Sequence, residues 1–330
     1  MTDISRRSMI VGSGGILSAS MLSSAAMANQ DKPLTGKSVL VTGTSSGFGN
    51  LGAQLYARQG AKVFATMRNL PRPEGEALVK LAKEEQLDIT VLELDVLSDD
   101  MVASAIAEAE SLAGGALDFL VNNAGVNVSG PVELQDMEAT KLSFDTNVYG
   151  PQRTARAVLP AMRARKSGVI FNVSSQMGRI IMPGGGIYSA TKFALESMSE
   201  QLAYELVPHG IEVVIIEPGG FPTNIGNNRA KLTEALAGRT EQERLDAYPA
   251  LSSRMSGMPR GGTWPNAPDP LMVPQAIAEI AAMPAGTRPL RRPVHPGPKP
   301  HLKINEACRE SQLEFLGRMP YGEWAKAVYD

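Results

Sequence analysis

Residues 38–49, SVLVTGTSSGFG, decide the fold. Ser38 to Thr42 is a short apolar run rich in β-branched residues, and Gly43 closes it, which predicts a buried strand. Gly47 and Gly49 then open a stretch with apolar side chains at Leu51, Leu55 and Tyr56, which predicts a helix to about Gln59. A strand, a glycine turn and a helix in succession bring backbone N–H groups and a helix N-terminus together, a cradle for a pyrophosphate. Side chains at the glycines would block that approach. The spacing is Gly-x-x-x-Gly-x-Gly rather than Gly-x-Gly-x-x-Gly, and an ordinary strand-to-helix turn can look the same.

Outward from this turn the pattern repeats. Strands are expected at Val39–Val41, Val63–Thr66, Ile89–Leu94, Phe119–Val121, Val169–Val173 and Val213–Ile216. Helices are expected at Gly47–Gln59, Glu74–Glu85, Asp99–Ala113, Glu138–Arg165 and Ile187–Val207. A further helix, Val273–Ala282, precedes a seventh strand near Arg288–Val294. Such alternation predicts an α/β fold, a doubly wound parallel sheet of about seven strands covered on both faces. Ligands of such sheets bind beyond the C-terminal strand ends. The glycine turn, Asn122, Ser175 and Pro218 all fall there. One domain over 29–294 is expected, followed by an extension at 295–330 with a helix at Ile304–Leu316. The bland reading of that extension, and the preferred one, is a surface or oligomer-contact segment. Residues 224–270 break the alternation, being rich in Asn, Arg, Pro, Ser and Met, with one helical stretch near Arg229–Ala247.

Tyr188 and Lys192 stand four apart in YSATK, thirteen and more residues after Ser175. Residues i and i+4 share a helix face, so the ammonium can approach the phenol. A fixed cation favours phenolate and lowers a pKa that is otherwise about 10. A serine hydroxyl beside them can hold a substrate oxygen while the tyrosine moves a proton. The trio suits interconversion of an alcohol and a carbonyl. Upstream, Pro151 follows Asn147 by four residues and has no N–H to offer the Asn147 carbonyl, so the helix should kink there with that carbonyl free.

The ordered set TGTSSGFG (42–49), LDV (94–96), NNAG (122–125), Asn147, Ser175, YSATK (188–192) and EPGGFPT (217–223) resembles the short-chain dehydrogenases/reductases, over roughly residues 36 to 225. The resemblance implies a Rossmann fold and catalysis by Asn147, Ser175, Tyr188 and Lys192, with Asn147 holding a water near Lys192. It implies a nicotinamide dinucleotide held by Gly43, Ser45, Ser46, Gly47, Phe48, Gly49, Arg68, Asp95, Val96, Asn122, Ala124, Gly125, Tyr188, Lys192, Pro218, Gly219 and Thr223. Asp95 meets the adenine amine, Asn122 also holds the neighbouring strand, and the Pro218–Thr223 loop grips the carboxamide. Substrate would meet Ser175, Gln176, Tyr188 and Phe221, with Met177, Ile181, Met182 and a mobile lid at 224–270 shaping the pocket. Family members pair as homodimers or homotetramers. No acid stands between Val63 and Asn69 to bind a ribose 2′-hydroxyl, whereas Arg68 can pair with a 2′-phosphate, which favours NADP over NAD.

Composition narrows the alternatives. The chain has 330 residues, 43% hydrophobic and 20% charged, with a net charge of −2, which suits one large domain with an extension. That balance gives no electrostatic case for nucleic acid. Cys308 is the single cysteine, and His209, His295 and His301 are scattered, so neither a disulfide nor a thiolate or histidine metal site is expected. SRRSMIVGSGGILSASMLSSAAMA carries paired Arg6 and Arg7, a weakly apolar stretch and Ala26-Met27-Ala28. This reads as a twin-arginine export signal over residues 1–28, cleaved after Ala28, too weak for a membrane anchor and directing the chain to the periplasm. Without the signal the chain would stay in the cytoplasm. The expected activity is hydride transfer between NADP(H) and an alcohol or carbonyl. A sugar-nucleotide epimerase or dehydratase, and a sensor or scaffold that binds cofactor without turnover, are the competing readings.

Overall fold

A computed structural model describes residues 32–256 and 266–329. The expected signal segment and part of the expected lid lie outside the described residues. Seven strands, β1 (Ser38–Thr42), β2 (Lys62–Met67), β3 (Ile89–Glu93), β4 (Phe119–Asn122), β5 (Gly168–Val173), β6 (Ile211–Pro218) and β7 (Arg291–Val294), form one sheet ordered β3-β2-β1-β4-β5-β6-β7. Every pairing is parallel. The order reverses between β1 and β4, which opens a crevice at their C-terminal ends.

Alternating side chains send each strand into two cores. Val39 and Val41 join one cluster with Ala53, Tyr56 and Ala57 of helix α1 (Gly47–Arg58) and Ile277 and Ile280 of a later helix. Leu40 joins the other, with Val102 and Ile106 of α3 (Asp99–Ala113) and Val158 and Met162 of α5 (Gly150–Arg165). Phe64, Leu120, Ile170 and Ile215 sit beside Leu40 on that second face. All of β1 is buried, and each such Val or Leu contributes roughly 1.5–3 kcal/mol. Helix α2 (Pro73–Glu85) completes the covering near β3.

Three stretches depart from expectation. The helix anticipated over Glu138–Arg165 is α4 (Met137–Phe144), a π-helical turn (Asp145–Tyr149) and α5. The break expected at Pro151 therefore takes the form of a widened turn that contains Asn147. The lid helix begins earlier, as α7 (Ile225–Arg239), and two short helices follow, α8 (Gln242–Asp246) and α9 (Pro249–Ser256). After α10 (Met272–Ala281) and β7, the tail forms α11 (Leu302–Gly317) and an unanticipated α12 (Gly322–Tyr329).

The tail is more than a surface strap. Asn305 donates to both Glu217 carboxylate oxygens at 2.8 and 3.1 Å, and buried His301 lies 3.4 Å from the same carboxylate. Arg291 of β7 pairs with Glu196 at 2.9 Å and Glu200 at 2.5 Å, both on α6 (Tyr188–Leu206). Tyr329 and Tyr204 both donate to Glu200. Burial pushes Glu217 up to about 8, and neighbouring Glu196 adds to the rise.

Candidate active site

At the β1–β4 crevice lies a cavity of about 440 Å³. Its floor is the glycine turn. Gly43 adopts φ +73°, and a Cβ there would come within 2.9 Å of the Ala124 backbone. A Cβ on Gly49 would stand 2.4 Å from the Gly43 carbonyl oxygen. The turn can therefore close against the NNAG segment only without side chains. Gly43, Ser45, Ser46, Gly47 and Phe48 line one side of the cavity; Arg68, Asp95, Val96, Ala124 and Gly125 line another. Pro218, Gly219 and Thr223 complete that rim, and Tyr188, Lys192 and Ser175 lie at the deep end.

Several expected residues hold the cavity rather than line it. Gly49 is buried beneath the turn. Asn122 donates to Asn172 at 2.8 Å and accepts from Thr154 at 2.6 Å, so its side chain ties β4 to β5 and α5 and does not face the cleft. Its neighbour Asn123, not singled out by the motif reading, lines the cleft and donates to the Thr42 and Gly43 carbonyls at 2.9 and 3.1 Å. Asn147 accepts from the Val126 N–H at 2.8 Å and donates to the Val126 carbonyl at 2.8 Å and the Thr191 hydroxyl at 3.0 Å. That side chain clamps the loop after NNAG onto α6.

Of the four residues expected to meet substrate, Ser175, Tyr188 and Phe221 line the cavity and Gln176 does not. Phe221 is buried edge-on between Phe48, at 5.4 Å, and His295, at 5.7 Å, where it braces the glycine turn. Gln176 begins a short turn beside Ser175 and is not among the cavity-lining residues. Arg72 lines the cleft beside Arg68 but already pairs with Glu74 at 2.9 Å; Arg68 is exposed at the end of β2. Asn228, Lys231 and Leu232 of α7 roof the cavity.

The trio converges, with one change in electrostatics. Ser175 accepts from the Met177 N–H at 3.1 Å, which fixes its hydroxyl at the mouth of β5. Lys192 donates to the Val173 carbonyl at 2.8 Å, and its Nζ lies 5.7 Å from the Tyr188 ring centre. The ammonium is therefore committed to a carbonyl rather than to the phenol. Burial pushes Tyr188 up to about 12, while the Ser175 hydroxyl and the charge of Arg229 pull it down. Burial brings Lys192 down to about 8, opposed by Glu196 one turn later on α6. The lowering influence expected from Lys192 comes instead from Ser175 and Arg229, because the amine is turned toward β5.

A doubly wound sheet with a glycine cradle at its switch point, and a half-buried Tyr188 and buried Lys192 in the crevice, defines a dinucleotide-binding fold. A profile described as short chain dehydrogenase matches residues 37–233, more than half of the 330-residue chain. The chain belongs to the short chain dehydrogenase family. It is 37% identical over 191 residues to a 3-ketodihydrosphingosine reductase of Bacteroides thetaiotaomicron, and 41% identical over 206 residues to retinol dehydrogenase 8 of Bos taurus. Those matches cover 58% and 61% of this chain, and 66% and 63% of the relatives' lengths. A short-chain dehydrogenase from Streptomyces avermitilis superposes with a TM-score of 0.67 at 30% identity, covering 86% of this chain and 97% of that one.

Proposed function

We propose that the chain is an oxidoreductase that uses NADP(H) to interconvert an alcohol and a carbonyl. The observation that carries this reading is the half-buried Tyr188 phenol, which shares with Ser175, Lys192 and the glycine cradle the lining of one cleft. The cleft fits a dinucleotide. Its glycines leave room for a pyrophosphate to approach the turn, Asp95 and Val96 would meet the adenine, and Arg68 would pair with a 2′-phosphate. A reduced nicotinamide held there supplies a hydride to the substrate carbon.

Ser175 and Tyr188 donate to the substrate carbonyl oxygen, and the phenol gives up its proton as that oxygen gains charge. Lys192 fixes the Val173 strand end two residues before Ser175, and the Ser175 hydroxyl and the charge of Arg229 favour the phenolate that remains. With its pKa pushed up to about 12, the phenol holds its proton at neutral pH, as a general acid in the reduction step must. The loop clamped by Asn147 keeps the wall opposite α6 in place.

NADPH consumption with a panel of carbonyl compounds tests the reading. Tyr188→Phe lowers kcat by about 10³-fold, the scale of acid–base catalysis, and leaves NADPH affinity unchanged. Arg68→Ala weakens NADPH about tenfold and spares NADH, since it removes a charge-assisted pair. Wild-type turnover in the phenylalanine variant overturns the assignment, and NADPH binding without turnover on any carbonyl points to a sensor. The paired Arg6 and Arg7 support the further reading that the chain folds around its cofactor and is exported by the twin-arginine route. Retention of a double-lysine variant in the cytoplasm, with wild type in the periplasm, is the expected result.

A further inference from the structure

We infer that Asn305, in the C-terminal tail, is a positioning residue for the active site: it fastens the turn after Ser175 to the end of β6 and so holds the Ser175 hydroxyl in place. The inference rests on the oxidoreductase reading above, and it extends that site to a helix outside residues 37–233 matched by the family profile.

The gap that Asn305 closes is the first observation. The ladder between β5 and β6 runs as far as the Ser174 N–H, which donates to the Ile216 carbonyl at 2.8 Å. In a parallel pair the next bond would come from the residue two places on, and that residue is Pro218, which has no N–H. A looser link follows instead. The Ser175 hydroxyl reaches the Pro218 carbonyl at 3.5 Å, beyond the usual hydrogen-bond range. The two chain ends that line the cleft, Ser174–Ser175 and Pro218–Gly219, therefore part just where the substrate oxygen would be held.

The second observation is that the Asn305 amide spans this gap. Its Oδ1 accepts from Arg179 Nε at 2.8 Å, and its amide nitrogen donates to the two Glu217 oxygens at 2.8 and 3.1 Å. Arg179 ends the turn that Ser175 begins: the Gly178 N–H donates to the Ser175 carbonyl at 2.8 Å, and the Arg179 N–H to the Gln176 carbonyl at 3.1 Å. Glu217 is wholly buried and stands one residue before Pro218. A neutral amide suits the place, because it offers an oxygen to the guanidinium and N–H donors to the carboxylate at once. The third observation is the seat of the turn. A Cβ on Gly178 would come within 2.9 Å of both Ser174 Oγ and Glu196 Cγ, so the turn rests directly on α6, and Asn305 ties it to β6.

The test measures NADPH-dependent reduction by the full chain. Asn305→Ala should lower kcat by about 10- to 100-fold, the scale of misplacing a reacting group by up to about 1 Å, and leave NADPH affinity unchanged. The same substitution in a Ser175→Ala background should cost little more, since residues that act through one group are not additive. Full additivity of the two losses overturns the inference. Tyr329→Phe removes a tail bond to Glu200 instead, and should lower the melting temperature while keeping the wild-type kcat. A kcat loss there equal to that of Asn305→Ala would make the tail a structural element alone, which also overturns the inference. Should Asn305→Ala not fold, Arg179→Met breaks the same bridge from the side of the turn and is read in the same way. If wild type reduces no carbonyl, the oxidoreductase reading falls and hydrogen exchange still decides the positioning. The Met177 N–H, which donates to Ser175 Oγ, should then exchange about tenfold faster in Asn305→Ala while β1 stays protected. An unchanged rate at Met177 overturns the inference.

Discussion

Lys192 shows how much a side chain's direction matters beyond its spacing. The four-residue interval to Tyr188 placed both groups on one face of α6, as the sequence implied. It could not reveal that the ammonium would end on the Val173 carbonyl, because that oxygen comes from β5, nineteen residues upstream. Burial sets the amine near 8 and the phenol near 12. If the charged amine is required, kcat/KM for reduction falls as pH rises through about 8, when Lys192 loses its proton. Glu196 opposes that loss, so Glu196→Gln should move the alkaline limb to lower pH. A limb that stays in place in the variant would show that another group titrates there. Asn228, Lys231 and Leu232, which roof the cavity, were invisible to motif reading because their helix could not be bounded from a stretch with no clear period.

At the scale of elements, the glycine turn and the widened turn at Asn147 work as a pair. Strand, turn and helix at 38–58 were legible because three constraints coincide there: an apolar run, glycines and a helical period. Pro151 announced a break in the next long helix, since it has no N–H for the carbonyl four residues back. Whether the chain kinks or inserts a residue depends on what the widened turn touches, and here Asn147 grips both backbone groups of Val126 and the Thr191 hydroxyl. Asn147→Ala leaves the half-buried Val126 N–H without its acceptor and should cost about 1–3 kcal/mol of stability. Denaturant unfolding measures this, and a loss within error would mean that water or a neighbour replaces the amide. That Phe221 lines the cavity packed against two other rings, and that Gln176 falls outside it, were illegible for a related reason. Loops after strand ends carry no period, so the direction of their side chains is set by partners such as Phe48 and His295 that are distant in sequence.

For the whole molecule, the alternation of elements fixed the sheet, and the two cores follow from the parity of each strand. The tail was read less well because its amphipathic signal is weak and its partners are charged. Glu196, Glu200 and Glu217 meet Arg291 on the inner side of β7, with Arg179 joined through Asn305 at 2.8 Å. Glu217 has its pKa raised from 4.5 to about 8 in the folded chain. Its contribution to stability is therefore fully present below about 4.5 and is lost as pH rises through about 8. Thermal melts should show a midpoint that declines over that interval, and Glu217→Gln should flatten the decline. An unchanged slope in the variant would place the titration elsewhere.

The tail's partnership with Glu217 and Glu200 also orders events in time. Asn305 and Tyr329 satisfy carboxylates on a strand and a helix that are made long before them. A nascent chain can assemble its sheet early, but Glu217 and Glu200 wait for these late partners until α11 and α12 have followed.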